Sequence, residues 1–144
     1  MRKIVFLSAL LFSAAAFAQE PLTLEEAIQR AQQLAMENEH QAIECGHMLK
    51  GIMEVDENVI PFIFKKLSIN HQHVTAALDG IVTGYAKVSG GQQYLSHTAN
   101  EALTKAQSAA KSMKDDYVSL EHIIIGLMIV NDPVSSLLID SGLN

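Results

Sequence analysis

Residues 23–59 and 98–134 are one phrase written twice, and this duplication limits the fold more than any other feature of the chain. Superposed at a shift of 75 positions, they need no gap. Thr23/Thr98, Glu26/Glu101, Ala27/Ala102, Ala31/Ala106, Gln32/Gln107, Ala35/Ala110, His47/His122, Gly51/Gly126, Met53/Met128, Val55/Val130 and Val59/Val134 are identical. Other pairs swap like for like, among them Ile28/Leu103, Arg30/Lys105, Ile43/Val118, Leu49/Ile124 and Ile52/Leu127. With one residue of slippage, Ser68-Ile69-Asn70 also matches Gly142-Leu143-Asn144. A repeat of this kind is a supersecondary unit that covers its apolar face with its neighbour. Twinned helical units serve more often as binding scaffolds than as active sites.

The first residues read as an export signal, outside the fold. Arg2 and Lys3 give a positive leader, residues 4–17 a short apolar run, and Ala16-Phe17-Ala18 a small-x-small cleavage signal. The run is too short to cross about 30 Å of hydrocarbon comfortably. Cleavage after Ala18, a periplasmic or secreted location and no later membrane insertion are therefore expected. No cysteine follows the run, which argues against lipid attachment there. The remaining residues, 19–144, suffice for one domain and are too few for two independent ones.

Losing Arg2 and Lys3 leaves eight basic side chains against 16 acidic ones and moves the net charge from −6 to −8. Phosphate backbones depend on Lys and Arg for affinity, so a nucleic acid partner is not expected. Cys45 is the only cysteine, and no internal disulfide can form even in the oxidising compartment that export implies. It reads as a small buried apolar residue, with a reactive thiol or an intermolecular bridge as the alternative.

Helical spacing dominates the mature part and strand alternation is nearly absent. Leu24, Ala27, Ile28, Ala31, Leu34 and Ala35 share one helical face, preceded by a capping box at Thr23-x-x-Glu26. The second copy repeats both signals, with Thr98-x-x-Glu101 followed by Ala102, Leu103, Ala106, Ala109, Ala110 and Met113. The many alanines suggest close approach of helices. A second helix is predicted over 47–53 and again over 122–128, with Ser119 as N-cap. A third covers about 59–67, and its counterpart starts at Pro133 behind Asp132. A fourth follows Asn70, with Val74, Ala77, Leu78, Ile81 and Tyr85 on one face. Ser89-Gly90-Gly91-Gln92-Gln93 then connects the copies flexibly. The expectation is all-α with no sheet: a duplicated four-helix repeat, copies about 22–86 and 95–144, the second lacking its last helix, seven helices in all.

In the second copy the phrase Tyr117-Val118-Ser119-Leu120-Glu121-His122-Ile123-Ile124-Ile125-Gly126-Leu127 resembles the recurring phrase of the amino-terminal domain of Clp ATPase unfoldases. The first copy, Ile43-Glu44-Cys45-Gly46-His47-Met48-Leu49-Lys50-Gly51-Ile52, is a looser version, and Tyr94-Leu95-Ser96 and Ser141-Gly142-Leu143-Asn144 also fall where that family places similar residues. The likeness runs over residues 22–144. It implies a double four-helix repeat that binds adaptors or unfolded substrates, here in a stand-alone, exported form, whereas the family is cytosolic. It implies no ATPase, because the Gly-x-x-x-x-Gly-Lys-Ser/Thr phosphate loop is absent from the sequence. Some relatives resemble a phosphoarginine receptor that uses the Glu just before the repeat His. Glu121 fits that position, Gly46 replaces it in the first copy and Leu120 replaces the usual polar neighbour, so phosphoarginine recognition is expected to be weak or absent.

His47 and His122 recur near helix starts. A histidine can be a general base or a metal ligand, but its duplication points to a structural job done twice, a neutral imidazole bonded to nearby backbone. Cys45-x-His47, His71-x-His73 and His40 contain ligand types. Residues two apart point to different sides of a helix and a closed tetrahedral site wants four ligands, so no metal or other cofactor is expected. Glu25, Glu26, Glu37 and Glu39 read as a solvated face. No triad is identifiable from spacing, and no catalytic residue is expected.

Apolar residues carry the stronger lead. Phe62 and Phe64, the only mature phenylalanines, sit two apart in an almost unbroken apolar run. One helical face cannot bury both rings beside Val59, Ile60 and Ile63. Either the copies share this core, or a groove stays open for a peptide or partner helix.

The second copy reaches Leu143-Asn144 where its fourth helix is due. The face lined by Ile124, Leu127, Met128, Leu137 and Leu138, with Glu121 beside it, is therefore expected to lack cover. At about 25 cal/mol per Å², a helix-sized face of some hundreds of Å² is worth several kcal/mol, and patches of that size mark interaction sites. The expected use is a partner-binding surface or a homodimer interface. The alternative is that helices of the first copy cover it. The functional expectation is a non-enzymatic exported module that captures unfolded segments or a partner protein. Its competitor is a self-associating subunit of a fixed envelope complex.

Overall fold

A computed structural model describes residues 24–88 and 90–144. The export signal and the cap at Thr23 lie outside these residues. The described chain runs α1 (Leu24–Glu37), β1 (Ala42–Ile43), α2 (Cys45–Val55), α3 (Val59–Lys66), α4 (His71–Thr83), β2 (Tyr94–Leu95), α5 (His97–Ser112), α6 (Leu120–Ile129) and α7 (Pro133–Asp140). Local chemistry sets the helix starts. Asn70 accepts the His73 N–H at 3.0 Å in front of α4, and Asp132 accepts the Val134 N–H at 2.8 Å in front of α7, as side-chain oxygens at N-caps do. The expected cap at Thr98 is corrected to Ser96. Its hydroxyl meets the Ala99 N–H at 3.0 Å, which starts α5 earlier and puts Thr98 inside the helix.

The identical glycines and alanines of the repeat explain one another. Helix α2 lies across α1 and α6 lies across α5. A β-carbon at Gly126 would sit 2.2 Å from the Ala102 carbonyl oxygen, and one at Gly51 would meet Ala31 N at 3.2 Å. At Gly126 only a residue without a side chain lets the backbones approach so closely, and at Gly51 a side chain would make the contact tight.

Four helices also end alike. Glu39, Ser68, Lys114 and Gly142 have positive φ. The following N–H reaches back in each case: His40 to Ala35 O (2.8 Å), Ile69 to Phe64 O (2.8 Å), Asp115 to Ala110 O (2.9 Å) and Leu143 to Leu138 O (3.0 Å). This is the left-handed C-terminal cap that satisfies orphan carbonyls.

The expectation of no sheet is corrected by a parallel pair of two-residue strands. Ala42 lies beside Tyr94 and Ile43 beside Leu95, so the residues leading into the second copy add themselves to the first. Two residues are too few to show alternation, which is why periodicity gave no sign of them. One hydrophobic core serves both copies, from Ala27 and Leu49 to Ile123, Val134 and Leu143. Among the described residues no single helix is long and apolar enough to cross a membrane. The pair α6 and α7 passes together on length and composition but is bent by 106°.

Candidate binding surface

The two repeat histidines do the same local work. His47 Nδ1 accepts the Glu44 N–H at 2.9 Å, and His122 Nδ1 accepts the Ser119 N–H at 2.8 Å. Each imidazole thus stands where a capping box usually places Glu or Gln. The backbone donor also fixes the tautomer, leaving the proton on Nε2. The partners of Nε2 differ. His122 donates to the Asp115 carboxylate at 2.8 Å, whereas His47 faces His40 Nδ1 at 2.8 Å. Burial is the main cause that pushes His47 down to about 4, followed by the charges of His40 and Lys50. His40 is also lowered, chiefly by burial and then by Lys87. Both rings are neutral at pH 7.

The copies also differ at Gly46 and Glu121. Tyr85, from the end of the first copy, accepts the Gly46 N–H at 3.0 Å. A β-carbon at Gly46 would lie 2.6 Å from the phenol oxygen. The place of Glu121 is therefore filled by a tyrosine in the first copy. In the second copy it is open. Asp115, Asp116, Tyr117, Ser119, Glu121 and His122 line a concavity of about 520 Å³, and the Ser119 hydroxyl donates to Glu121 Oε2 at 2.5 Å. Nothing in the repeat alignment marks Tyr85 for this role. His40 and Asp115 are legible only in hindsight, as equivalent positions seven residues before the repeat histidine.

The face expected to lack cover is corrected. Ile124, Leu127 and Leu138 are buried in the shared core, with Leu127 at 0% exposure. Met128 and Leu137 pack against it as half-buried residues. The cover comes from the first copy, whose helices α4 and α2 pack on α7. Burial of hundreds of Å² within the chain outweighs leaving that face wet. Glu121 alone of that set is exposed.

Helix α3 offers the apolar surface instead. Phe64 turns inward at 3% exposure while Phe62 stays 63% exposed. One face takes one ring, as the spacing requires. Asn58, Val59, Phe62, Ile63 and Glu121 line a groove of about 430 Å³. Glu121 also lines the acidic concavity, so it stands at the border of an apolar and an anionic patch. Lys66 lies over the Phe62 ring, 5.7 Å from its centroid.

Cys45 is a free, fully buried thiol. Burial, then the charges of Asp132 and Glu44, push it up to about 12, far from the range in which a cysteine is nucleophilic. Among the described residues no three His, Cys, Asp or Glu side chains gather in a way that could hold a metal ion. His40 and His47 are turned to each other, and His71 and His73 are exposed.

Residues 22–140 match the family described as the Clp repeat (R) N-terminal domain. The chaperone protein ClpB of Bacteroides thetaiotaomicron is 46% identical over 119 residues, which are 83% of this chain and 14% of that protein. The ClpB of Porphyromonas gingivalis is 41% identical over 118 residues, 82% of this chain and 14% of that protein. The chain thus spans 14% of the length of these relatives. Among solved structures, the Hsp104 N-terminal domain from Candida albicans superposes with a TM-score of 0.74 at 18% identity, covering 87% of this chain and 84% of that one. The N-terminal domain of ClpD from Arabidopsis thaliana does so with 0.61 at 22% identity, covering 83% and 82%. At such identities the structural likeness speaks for the fold alone.

Proposed function

The chain belongs to the Clp repeat N-terminal domain family, and from that premise we propose that it is a non-enzymatic protein-binding module. It captures an apolar segment of an unfolded client or partner in the groove beside α3. The exposed Phe62 carries this reading. A large ring left in water costs apolar hydration, and aromatic anchors dominate the energetics of protein recognition. The groove is of the kind that takes a helix or an extended segment by its apolar side chains. Glu121 at its border favours segments with a Lys or Arg next to the apolar anchor, because opposite charges at a rim speed and orient association.

Export belongs to the same proposal. It is supported by Arg2 and Lys3, the apolar run and the Ala16-Phe17-Ala18 signal. Mass spectrometry of the protein from periplasmic or extracellular fractions should find Gln19 as the first residue. A mature protein starting at Met1 would refute export.

The test of binding uses the full mature chain and a chemically denatured client. A monomer that suppresses client aggregation, with Phe62→Ser abolishing suppression at unchanged helicity, is the expected result. A tight dimer without effect on the client would instead establish the self-associating subunit. A Phe62→Ser variant as effective as the parent would place binding elsewhere.

A further inference from the structure

Hydrogen-bond bookkeeping around His40 and His47 leaves no room for a second proton. The Glu44 N–H occupies His47 Nδ1 at 2.9 Å, so His47 Nε2–H must donate to His40 Nδ1 at 2.8 Å. The His40 proton then sits on Nε2, a buried atom with no hydrogen-bond partner. A proton added to His47 Nδ1 would face an N–H, and one added to His40 Nδ1 would face another. Unmatched buried donors cost about 1–3 kcal/mol, more when charged. In the second copy the outcome is different. The Ser119 N–H occupies His122 Nδ1 there too, at 2.8 Å, but the ring lies against the Asp115 carboxylate at 2.8 Å, which offsets a positive charge, and Ser119 Oγ, 3.0 Å from Nδ1, offers an alternative acceptor.

The same histidine pair is the hub to which the connector between copies is tied. The rings of His47 and His40 pack on Tyr85 at centroid distances of 5.1 and 5.8 Å, and Tyr85 holds the Gly46 N–H. Val88 N donates to Glu39 O at 3.1 Å. Gln93 Nε2 donates to His40 O at 3.2 Å, and Gln41 Nε2 donates to Gln92 O at 3.2 Å.

We propose that His40 and His47 form an acid-sensitive latch that holds residues 84–88 and 90–93 to the first copy, and that protonation releases this connector while the second copy stays closed. The charged and titratable neighbours are Glu44, Lys50, Tyr85 and Lys87, with Cys45 and Asp132 beyond Tyr85. Lys50 and Lys87 work against an imidazolium, and Glu44 alone acts for it at His40. The lowered titration of both rings agrees with the geometry.

Hydrogen exchange of the full mature chain, corrected for intrinsic rates, tests the latch at pH 7 and pH 5. With the released His47 imidazole titrating near 6.5 and the latched one near 4, opening should increase roughly 20-fold from that proton alone, and the lowered His40 adds in the same direction. Protection over 40–47, 84–88 and 90–93 should fall at least tenfold, with that over 115–122 nearly unchanged. His40→Asp gives the first copy the pairing of the second and should remove the acid response. Should that buried carboxylate unfold the chain, Asp115→His serves instead, since it should create a new acid response over 115–122. Equal protection at both pH values, an acid response that survives His40→Asp, or none created by Asp115→His would overturn the proposal.

Discussion

His122 donates its Nε2 proton to Asp115 across 2.8 Å, and at the equivalent place in the first copy the same separation joins His47 to His40. One duplicated phrase thus carries two electrostatic designs, an imidazole on a carboxylate and an imidazole on an imidazole. The backbone part of each setting is the same. Both histidines take the N–H of the N-cap residue, and both partners follow a residue in the left-handed region, Lys114 or Glu39.

The first consequence is for stability against pH. His47 titrates near 4 when folded and near 6.5 when unfolded, so the unfolded chain binds more protons between these values. Stability is therefore complete above about pH 6.5 and falls as the pH drops towards 4. His47 alone should remove about 2 kcal/mol between pH 7 and pH 5, and the lowered His40 adds in the same direction. Urea unfolding at the two pH values checks this. A midpoint that rises on acidification would contradict the neutral pair.

The two glycines of the repeat should differ in what they tolerate. A methyl group at Gly126 would lie 2.2 Å from a carbonyl oxygen of α5, whereas at Gly51 the nearest atom is Arg30 Cγ at 3.1 Å, in a flexible side chain. Gly126→Ala should cost about 3 kcal/mol or more, because α6 must move off α5. Gly51→Ala should cost clearly less. Thermal unfolding of the two variants side by side gives the comparison, and equal losses would mean that the crossings are not as close as described.

Much of this was legible in the residues because the repeat announces itself through the positions that pack tightest. Ala27/Ala102, Ala31/Ala106 and Gly51/Gly126 are identical since helices cross there. The spacing starts helices directly after Asn70 and Asp132, and both residues serve as their caps. The strands at Ala42 and Tyr94 were too short for any period. The cover over Leu127 and Leu138 was illegible for another reason. It comes from α2 and α4 of the other copy, α2 against α6 and α7 and α4 against α7, and no pattern internal to the second copy encodes which outside element lands on it. Tyr85 reads as one more apolar residue on the stripe of α4, and its oxygen finds the Gly46 N–H only once the chain has turned out of that helix.

Phosphoarginine recognition should be weak. In the first copy the Tyr85 hydroxyl occupies the Gly46 N–H and the space a longer side chain would need. In the second, Asp115, Asp116 and Glu121 line the concavity with one lysine, Lys114. A phosphate needs several charge-assisted donors, and three carboxylates repel it. Calorimetry should detect no low-micromolar binding. Such affinity, lost on Glu121→Ala, would reverse the assignment.

Leu127 and Leu138 offer the sharpest test of how the two copies share one core. Each is at most 1% exposed, and α7 is covered by α4 and α2 of the first copy. An interface leucine changed to Asp dissociates partners and leaves each fold intact. A core leucine changed to Asp buries an unpaired charge and opens a cavity, which together exceed about 4 kcal/mol. A domain of this size is stable by only about 5–15 kcal/mol. Leu127→Asp with Leu138→Asp should therefore abolish the helical circular dichroism signal at 25 °C, and neither single variant should change the oligomeric state of whatever fraction stays folded. A folded, helical double variant that merely sheds a partner would return these residues to a surface and remove the first copy as their cover.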